Sequence, residues 1–418
     1  MSAEKAALHS TIGLSGRRGS LITAAIGLDA IIVFNDIISA RSPLDAPRDM
    51  LRHFPLLMQA CADDKCDEPE KIAHDAPHVD GTGRLTGGGW PSCVPSRRPR
   101  DQGLMRVAII GAGIAGLACA RRLRDAGLEA TLFDKSRGIG GRLATRRAEP
   151  GDPGVAFDHG ATHFTARSEG FTRLVAAWEK AGLAARWPVA GADSWVGRPT
   201  MTAPLKALAD DLDVRLSRPV TALTRSRAGW TLHSEAKRLG KFDTAVIAIP
   251  AEQAAPLLSL HDFEMARAAM AVRYNPCWTA MFAFEERIEE LPDFLRGAGS
   301  LVTAARDSAK PGRAPGERWV VQADWTWSEA HLASESASVA RLLLAELGKV
   351  AGRELPAPSH IAAHRWLFSQ PSGQDPKLLW NPAIGLGACG DWLYHGFAEY
   401  AWLSGHVLGA AIAAEAPR

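Results

Sequence analysis

Three glycines at the spacing G-x-G-x-x-G, Gly111, Gly113 and Gly116, point most directly to chemistry. In a dinucleotide-binding turn the first glycine permits a tight bend, the second lets the backbone approach a pyrophosphate, and the third lets a helix lie close to a strand. Asp134 follows Gly116 by 18 positions, where a carboxylate can accept both hydroxyls of an adenosine ribose and repel a 2′-phosphate. The spacing predicts a bound dinucleotide, with NAD and FAD as alternatives, and a purely structural turn is the competing interpretation.

A strand, a helix and a second strand must position these residues. Val107–Ile110 is a β-branched apolar run of the kind buried in a parallel sheet. A helix is expected from near Gly113, so that its free N–H groups and positive end face the phosphates, and Gly127 is expected to end it. Ala130–Phe133 is predicted to be the next strand, which completes a β-α-β unit.

A second glycine-rich turn spans Arg137–Arg142. The pair Gly140-Gly141 allows close backbone contact with a phosphate or a ribose, and the Arg142 guanidinium can bind a pyrophosphate through two parallel hydrogen bonds. A dehydrogenase that binds only NAD has no use for such a turn here. The alternative is a surface loop with a solvated arginine.

The segment AFDHGATHFT, residues 156–165, indicates a third turn. A strand is expected to end at Asp158, after which Gly160-Ala161 leaves room for a flat ring, with Thr162 and His163 as polar neighbours. His159 and His163 have the spacing of a metal-binding pair, but a glycine lies between them and no third ligand follows, so no metal is predicted.

Later segments are predicted to return to the dinucleotide domain. A helix is expected over Thr202–Asp211, a strand over Val214–Leu223 with Val220 packed on adenine, and a buried strand over Asp243–Pro250.

The C-terminal region carries a further Gly-Asp pair. Ile384–Asp391 predicts a strand ending in Gly390-Asp391, where the carboxylate can accept a hydroxyl of a ribityl chain. A helix is expected from about Ala398 to Ala414, with its positive end available to a developing anion.

Residues 256–370 are rich in tryptophan and alternate as strands, which predicts an antiparallel sheet with aromatic side chains that floor a pocket for a flat ligand. The alternative is that each tryptophan is a core residue. A helix is predicted over Glu329–Val350. The tryptophans are Trp278, Trp319, Trp325, Trp327 and Trp366.

Composition excludes several classes of function. The 418 residues carry a net charge of +2 with no basic block interleaved with aromatics, so nucleic acid is not an expected partner. The apolar run Leu21–Ile38 contains Asp29 and Asp36, whose charges are too costly for a membrane span. Six scattered cysteines without paired spacing indicate reduced thiols and a cytoplasmic protein.

Residues 1–104 do not look like part of the same domain. Gly81–Gly103 has the glycine and proline content of a linker, and only Ser20–Ala40 and Met50–Ala60 could form helices. We expect a largely irregular, poorly ordered extension or the product of an upstream start codon, and a small helical accessory is the alternative.

Taken together, the two glycine turns, the D-x-G-A turn and the late G-D pair resemble the FAD-dependent amine oxidase superfamily. The segments HRWLFSQP, GDW and AWLSG are most similar to its renalase-like members. The resemblance runs from Met105 to the C-terminus.

The resemblance implies an α/β fold in which a glutathione-reductase-like, FAD-binding Rossmann domain carries an inserted antiparallel-sheet substrate domain. The FAD-binding domain is expected to be discontinuous, over residues 105–165, 202–255 and 382–418. The substrate domain is expected over residues 166–201 and 256–381.

The resemblance also implies which residues bind FAD. No cysteine stands where some amine oxidases tether their flavin, so FAD is expected to be noncovalent. The ADP half is assigned to Gly111, Ala112, Gly113, Ala115, Gly116, Asp134 and Lys135, the pyrophosphate to Gly141 and Arg142, and adenine to Val220. The flavin ring is assigned to Gly160, Ala161, Thr162 and His163, the ribityl and pyrimidine end to Gly390, Asp391 and Trp402, and the substrate pocket to Gln322, Trp327 and Trp366.

Two departures from the family pattern fall at the flavin and the pocket. The family often has Gln and an aromatic residue where this chain has Thr162-His163, and a histidine where it has Gln322.

Renalase-like enzymes oxidise the 2- and 6-dihydro isomers of NAD(P)H to NAD(P)+ by hydride transfer to flavin, and O2 then takes the electrons to form peroxide. A dihydronicotinamide has no proton to lose, which fits a pocket rich in tryptophan and poor in acids. The alternatives are an amine or polyamine oxidase, with Asp324 beside Trp325 and Trp327 binding the cation, and a non-catalytic flavin-binding redox sensor.

Overall fold

The computed structural model describes residues 105–148, 155–235, 237–372 and 378–416, together with two short antiparallel strands, His78–Val79 and Leu85–Thr86. The chain divides into two units, 1–97 and 98–418, and the fold below is that of the second. The predictions for residues 1–104, including both helices, otherwise lie outside the described residues.

A mostly parallel six-stranded sheet forms the centre of the second unit, and the predicted α/β class is confirmed. The two strands at its centre, Arg106–Ile110 and Thr244–Ile247, are apolar, rich in β-branched residues and almost fully buried, as the inner strands of a parallel sheet are. The edge strand Leu379–Asn381 is antiparallel and belongs to this sheet, although the sequence had assigned it to the substrate domain. In spatial order the strands are Asp213–Arg215, Glu129–Phe133, Arg106–Ile110, Thr244–Ile247, Leu386–Ala388 and Leu379–Asn381.

Helices cover both faces of this central sheet. Ile114–Asp125 and the C-terminal helix Ala398–Glu415 pack together on one face. Gly405 makes this approach possible, because a Cβ there would lie 1.9 Å from the carbonyl oxygen of Ala115. Ala251–Leu258 and Phe263–Met270 cover the other face.

The strand predicted over Val214–Leu223 is wrong as a single element. Asp213–Arg215 ends at the sheet edge, and Ala222–Ser226 begins a separate three-stranded meander with Gly229–Ser234 and Lys237–Phe242. Ser217 interrupts the run because its backbone adopts a left-handed conformation with φ 53°. Val220 falls between the two strands and packs against the apolar core under the meander.

A five-stranded antiparallel sheet forms the substrate lobe, as predicted. Its far face, with Trp278 and Trp319, is covered by the helix Ser336–Ala351. In spatial order its strands are Phe294–Ala298, Leu301–Arg306, Glu317–Ala323, Tyr274–Phe284 and His360–Pro371.

The strand predicted through Trp327 is wrong, and the helix predicted over Glu329–Val350 is confirmed only from Ser336 onward. Asp324 ends the strand because its side chain accepts a hydrogen bond from the backbone N–H of Trp327 and caps a new helix, Trp325–Ala330. A second helix then starts at Ser336.

Smaller elements connect the two lobes. Residues 143–208 form a small three-stranded sheet, a two-stranded pair and two helices, Glu169–Lys180 and Ala203–Leu208. The small sheet contains Phe164–Thr165, Ala184–Arg186 and Ser194–Gly197, and the strand pair is Arg146–Arg147 with Ala156–Phe157.

Candidate FAD site

The first glycine turn has the geometry that the sequence predicted. Gly111 has φ 111°, and a Cβ on it would lie 2.3 Å from the carbonyl oxygen of Ala248. A Cβ on Gly116 would lie 2.0 Å from the carbonyl oxygen of Gly111, so neither position can carry a side chain. A Cβ on Gly113 would meet nothing within 4 Å. Space is therefore open at Gly113, before the helix that begins at Ile114, which is the position where a helix N-terminus can bind a phosphate.

Asp134 is held beside this turn by backbone donors. Its carboxylate accepts hydrogen bonds from the N–H groups of Ala112 at 2.7 Å and Ser136 at 2.8 Å. The remaining acceptor capacity of the carboxylate can serve ribose hydroxyls. Lys135 points elsewhere, and its ammonium donates to the Gln253 side chain at 3.2 Å.

The second glycine turn lies directly against the first. Gly140 donates its N–H to the carbonyl of Ala112 at 2.9 Å, and a Cβ on Gly141 would lie 3.6 Å from the Cα of Gly113. Two separate glycine motifs of the sequence therefore form one cradle.

Arg142 and Asp391 pair with each other at the end of this cradle. Nη2 of Arg142 lies 2.5 Å from Oδ1 of Asp391, and Nη1 donates to the carbonyl of Ser369 at 2.8 Å. Burial lowers the pKa of Arg142, but the adjacent Asp391 carboxylate outweighs it and raises the pKa. The Gly390 N–H is bound by the hydroxyl of Ser404, on the C-terminal helix.

The segment His159–His163, called the strap below, joins the cradle to the substrate lobe. Ala161 donates its N–H to the Arg142 carbonyl at 2.8 Å, and a Cβ on Gly160 would lie 2.0 Å from that carbonyl oxygen. From the other side, Gln322 Nε2 donates to the carbonyl of Gly160 at 2.7 Å. Nε1 of Trp366 donates to the carbonyl of His159 at 2.9 Å.

The histidines of the strap are neutral at physiological pH. Burial, His364 and Arg146 lower the pKa of His159 to about 4. Burial and the Arg296 guanidinium, 3.4 Å away, lower the pKa of His163 to about 4. Thr162 is buried, and its hydroxyl lies 3.1 Å from Nδ1 of His163. These imidazoles therefore act as neutral hydrogen-bonding groups.

A buried ion cluster fixes the start of the strap. Lys310 Nζ lies 3.0 Å from Oδ2 of Asp158 and 2.5 Å from Oδ1 of Asp307, and Arg313 also pairs with Asp158. Burial opposes ionisation of Asp158, but Lys310 and Arg313 outweigh it and lower its pKa. Sequence reasoning missed this cluster, since Asp158 and Lys310 are 152 positions apart and no local motif joins them.

Two predicted residues, Trp327 and Trp402, lie away from this group. Trp327 packs on the helix-covered face of the antiparallel sheet and stacks on His331, because the Asp324 cap turns it onto a helix. Trp402 is buried against Phe171, with ring centroids 5.5 Å apart. Val220 is half-buried against the core under the meander and follows Arg218, whose N–H donates to the Asp134 carbonyl at 2.8 Å, so it stays near the first glycine turn. The Asp324 carboxylate, considered above for a substrate cation, is occupied by its helix cap.

The fold and the cradle define a two-lobed α/β dinucleotide-binding protein. The family described as NAD(P)-binding Rossmann-like domain matches residues 109–178, and Flavin containing amine oxidoreductase matches residues 179–374. Together they cover more than half of the 418 residues. The chain belongs to the flavin-containing amine oxidoreductase superfamily, whose oxidoreductases use FAD.

A curated relative is similar over part of its length. The tRNA 5-methylaminomethyl-2-thiouridine biosynthesis bifunctional protein of Magnetococcus marinus is 29% identical over 221 residues, or 40% of this chain. The match spans only 33% of that relative.

Two solved structures share the fold. A protein from Exiguobacterium sp. 255-15, named as a candidate protoporphyrinogen oxidase, aligns with TM-score 0.59 at 15% identity over 75% of this chain and 100% of its own. Cyclohexylamine oxidase from Brevibacterium oxydans aligns with TM-score 0.56 at 15% identity over 75% and 99%. Among the described residues, no helix has the length and apolar character needed to cross a membrane.

Proposed function

We propose that this chain oxidises the 2- or 6-dihydro isomers of NAD(P)H to NAD(P)+, with noncovalent FAD as its cofactor and O2 as the electron acceptor. The first glycine turn and Asp134 would hold the ADP half, the Arg142–Asp391 pair would lie near the diphosphate and ribityl chain, and the strap would lie at the flavin ring.

The charged residues near the strap are the main support for a dinucleotide substrate. Within the described part of the chain, the nearby acids already have cationic partners: Asp158 and Asp307 contact Lys310, and Asp391 contacts Arg142. Arg146 and Arg296 have no carboxylate within salt-bridge distance among the described residues. This positive field favours an anionic dinucleotide over an ammonium substrate.

The side chains beside the strap suit a flat substrate that gives up a hydride. Trp366 and His364 contact each other edge to face with ring centroids 4.5 Å apart, and His159 lies 5.1 Å from both rings. The neutral imidazoles need not remove a proton, because a dihydronicotinamide becomes an aromatic nicotinamide by losing hydride alone. FAD, when bound, would supply the hydride acceptor and the route by which two electrons reach O2, giving peroxide.

An anaerobic stopped-flow experiment tests the proposal. Protein with a flavin absorption spectrum is mixed with 6-dihydro-NAD, with ordinary NADH, and with cyclohexylamine and putrescine. We expect fast loss of flavin absorbance with the 6-dihydro isomer and slow or no loss with the other three. Bleaching by an amine and not by the isomer would identify an amine oxidase, and no bleaching by any compound would identify a non-catalytic flavoprotein.

Two variants of Trp366 separate its ring from its N–H. Trp366→Phe keeps a flat ring and loses the donor to His159, whereas Trp366→Leu loses both. If the ring forms the wall of the substrate site, Trp366→Leu should slow reduction at least about 10-fold more than Trp366→Phe. Equal rates in the two variants would remove the ring from the site.

A further inference from the structure

A row of polar side chains crosses the antiparallel sheet at the level of the strap. Register pairs Arg296 with Thr303, Thr303 with Gln322, Gln322 with Thr279, and Thr279 with His364. Residues directly opposite each other in antiparallel strands share one face of the sheet. The row therefore spans five strands, about 19 Å, on the face opposite the helix-covered one.

The strap lies along this row. His159 contacts the His364 ring, Gly160 accepts the Gln322 amide, and His163 contacts Arg296. The sheet therefore meets this loop through polar groups at its two ends and at its middle.

In this row, Gln322 has a hydrogen-bond partner for each of the two polar atoms of its side-chain amide. Its Oε1 accepts the Thr303 hydroxyl at 2.7 Å, and its Nε2 donates to the Gly160 carbonyl at 2.7 Å. The Gly160 carbonyl can only accept, so it requires the amide orientation in which NH2 faces Gly160, and the Thr303 hydroxyl then donates to Oε1 and anchors the amide in that orientation. The same peptide, Gly160–Ala161, is also held from its other side, because the Ala161 N–H donates to the Arg142 carbonyl.

We propose that Gln322 is a positioning residue for the cofactor: oriented by Thr303, it fixes the Gly160–Ala161 peptide plane against the second glycine turn and so sets where the strap meets the flavin. The inference rests on the FAD-binding part of the proposed function and is independent of the substrate. It gives Gln322, assigned from the sequence to the substrate pocket, a role toward the cofactor instead, since each polar atom of its amide already has a protein partner.

Matched threonine variants test this role. Thr303→Val removes the bond that orients Gln322, and Thr279→Val makes the same chemical change in the same row. The Thr279 hydroxyl has its contact with Cys277 Sγ, at 3.9 Å, and is not bonded to Gln322 in the described contacts. Reconstitution of the apoprotein measures the FAD dissociation constant, visible circular dichroism reports the flavin environment, and apoprotein melting reports the fold.

We expect Gln322→Leu to raise the FAD dissociation constant about 10-fold, equivalent to about 1.4 kcal/mol. Thr303→Val should raise it about 5-fold. Both should change the flavin circular dichroism. Thr303→Ser, which keeps the hydroxyl, should restore both readouts, and Thr279→Val should stay within about 2-fold of the wild type. The double variant Thr303→Val/Gln322→Leu should bind FAD no more weakly than Gln322→Leu, because Thr303 acts through Gln322.

Unchanged FAD affinity and circular dichroism in Gln322→Leu would overturn the proposal, as would equal effects of Thr303→Val and Thr279→Val. If Gln322→Leu does not fold, the Thr303 series decides. No substrate enters these measurements, so they fail or succeed separately from the oxidation of dihydronicotinamides.

Discussion

Replacing Lys310 with methionine should destabilise the protein strongly, with a characteristic pH dependence. The Lys310 side chain is fully buried between Asp158 and Asp307, and Arg313 supplies the second cation. Two carboxylates and two cations balance, so Lys310→Met keeps the aliphatic chain and leaves one uncompensated buried negative charge.

Removing one partner of a buried ion pair destabilises a protein by about 3–5 kcal/mol. At about 2–4 °C per kcal/mol for domains of 150–250 residues, and less for larger ones, the thermal midpoint should fall by about 5–10 °C. Burial and the neighbouring Asp158 already raise the pKa of Asp307 in the wild type. Losing the Lys310 charge should raise it further.

The sign of the pH effect follows from that raised pKa. A carboxylic acid whose pKa is higher in the folded state contributes stability below its unfolded pKa of about 4 and loses it as pH rises through the folded pKa. The deficit of Lys310→Met should therefore be smaller at pH 5 than at pH 8. Asp158 has a lowered folded pKa, so its contribution in the wild type is complete at both pH values.

Urea unfolding followed by tryptophan fluorescence at pH 5 and pH 8 measures both effects. Lys349→Met is the control, because that lysine is 71% exposed beside Glu346. Its replacement should lower the free energy of unfolding by less than about 1 kcal/mol. Lys310→Met/Asp307→Asn restores neutrality and should recover part of the loss. A deficit below about 1 kcal/mol for Lys310→Met, or one that is equal at the two pH values, would refute the reasoning.

Three further substitutions test the cradle and its support. Gly113→Val should leave apoprotein melting nearly unchanged, because a Cβ meets open space, yet reduce flavin occupancy by at least about 10-fold, as read from absorbance after gel filtration; normal occupancy would contradict the assignment. Gly405→Ala should lower stability by about 1–3 kcal/mol in urea, because its Cβ would lie 1.9 Å from the Ala115 carbonyl oxygen; an unchanged midpoint would show that the helices separate freely. Asp391→Asn should weaken FAD about 10-fold in equilibrium titration, since the Arg142 guanidinium loses its ion pair at 2.5 Å; an unchanged dissociation constant would remove Asp391 from the site.

Local rules were sufficient for the dinucleotide half of the fold. Gly111 and Gly116 were predicted as sterically required, and each would place a Cβ within 2.3 Å of a backbone oxygen. Asp134 was predicted at the end of a strand beside the turn, and its bond to the Ala112 N–H puts it there. These features depend on spacing within about thirty residues, which a single sequence displays directly.

Predictions failed where two local sequence patterns favoured different structures. The alternating tryptophans after Trp319 favoured a strand, but Asp324 has the N-cap geometry that starts a helix, and Trp327 follows it. Trp402 is buried on its helix and packs on Phe171, a contact between distant parts of the chain that the local sequence does not display. An acid before an apolar helical run was visible in the sequence and would have corrected the first error.

The strap shows what one sequence cannot reveal. Its residues were predicted from their own types, but what holds them comes from Lys310, Gln322 and Trp366, at separations of 150 positions or more. Because the same short segment touches the cradle through Arg142, flavin affinity and the packing of the substrate lobe are linked: a ligand that binds only the folded state stabilises it by RT ln(1 + [L]/Kd). A substitution at Lys310 should therefore weaken FAD binding although Lys310 lies in neither glycine turn. Saturating FAD should raise the melting midpoint of that variant by less than it raises the midpoint of the wild type.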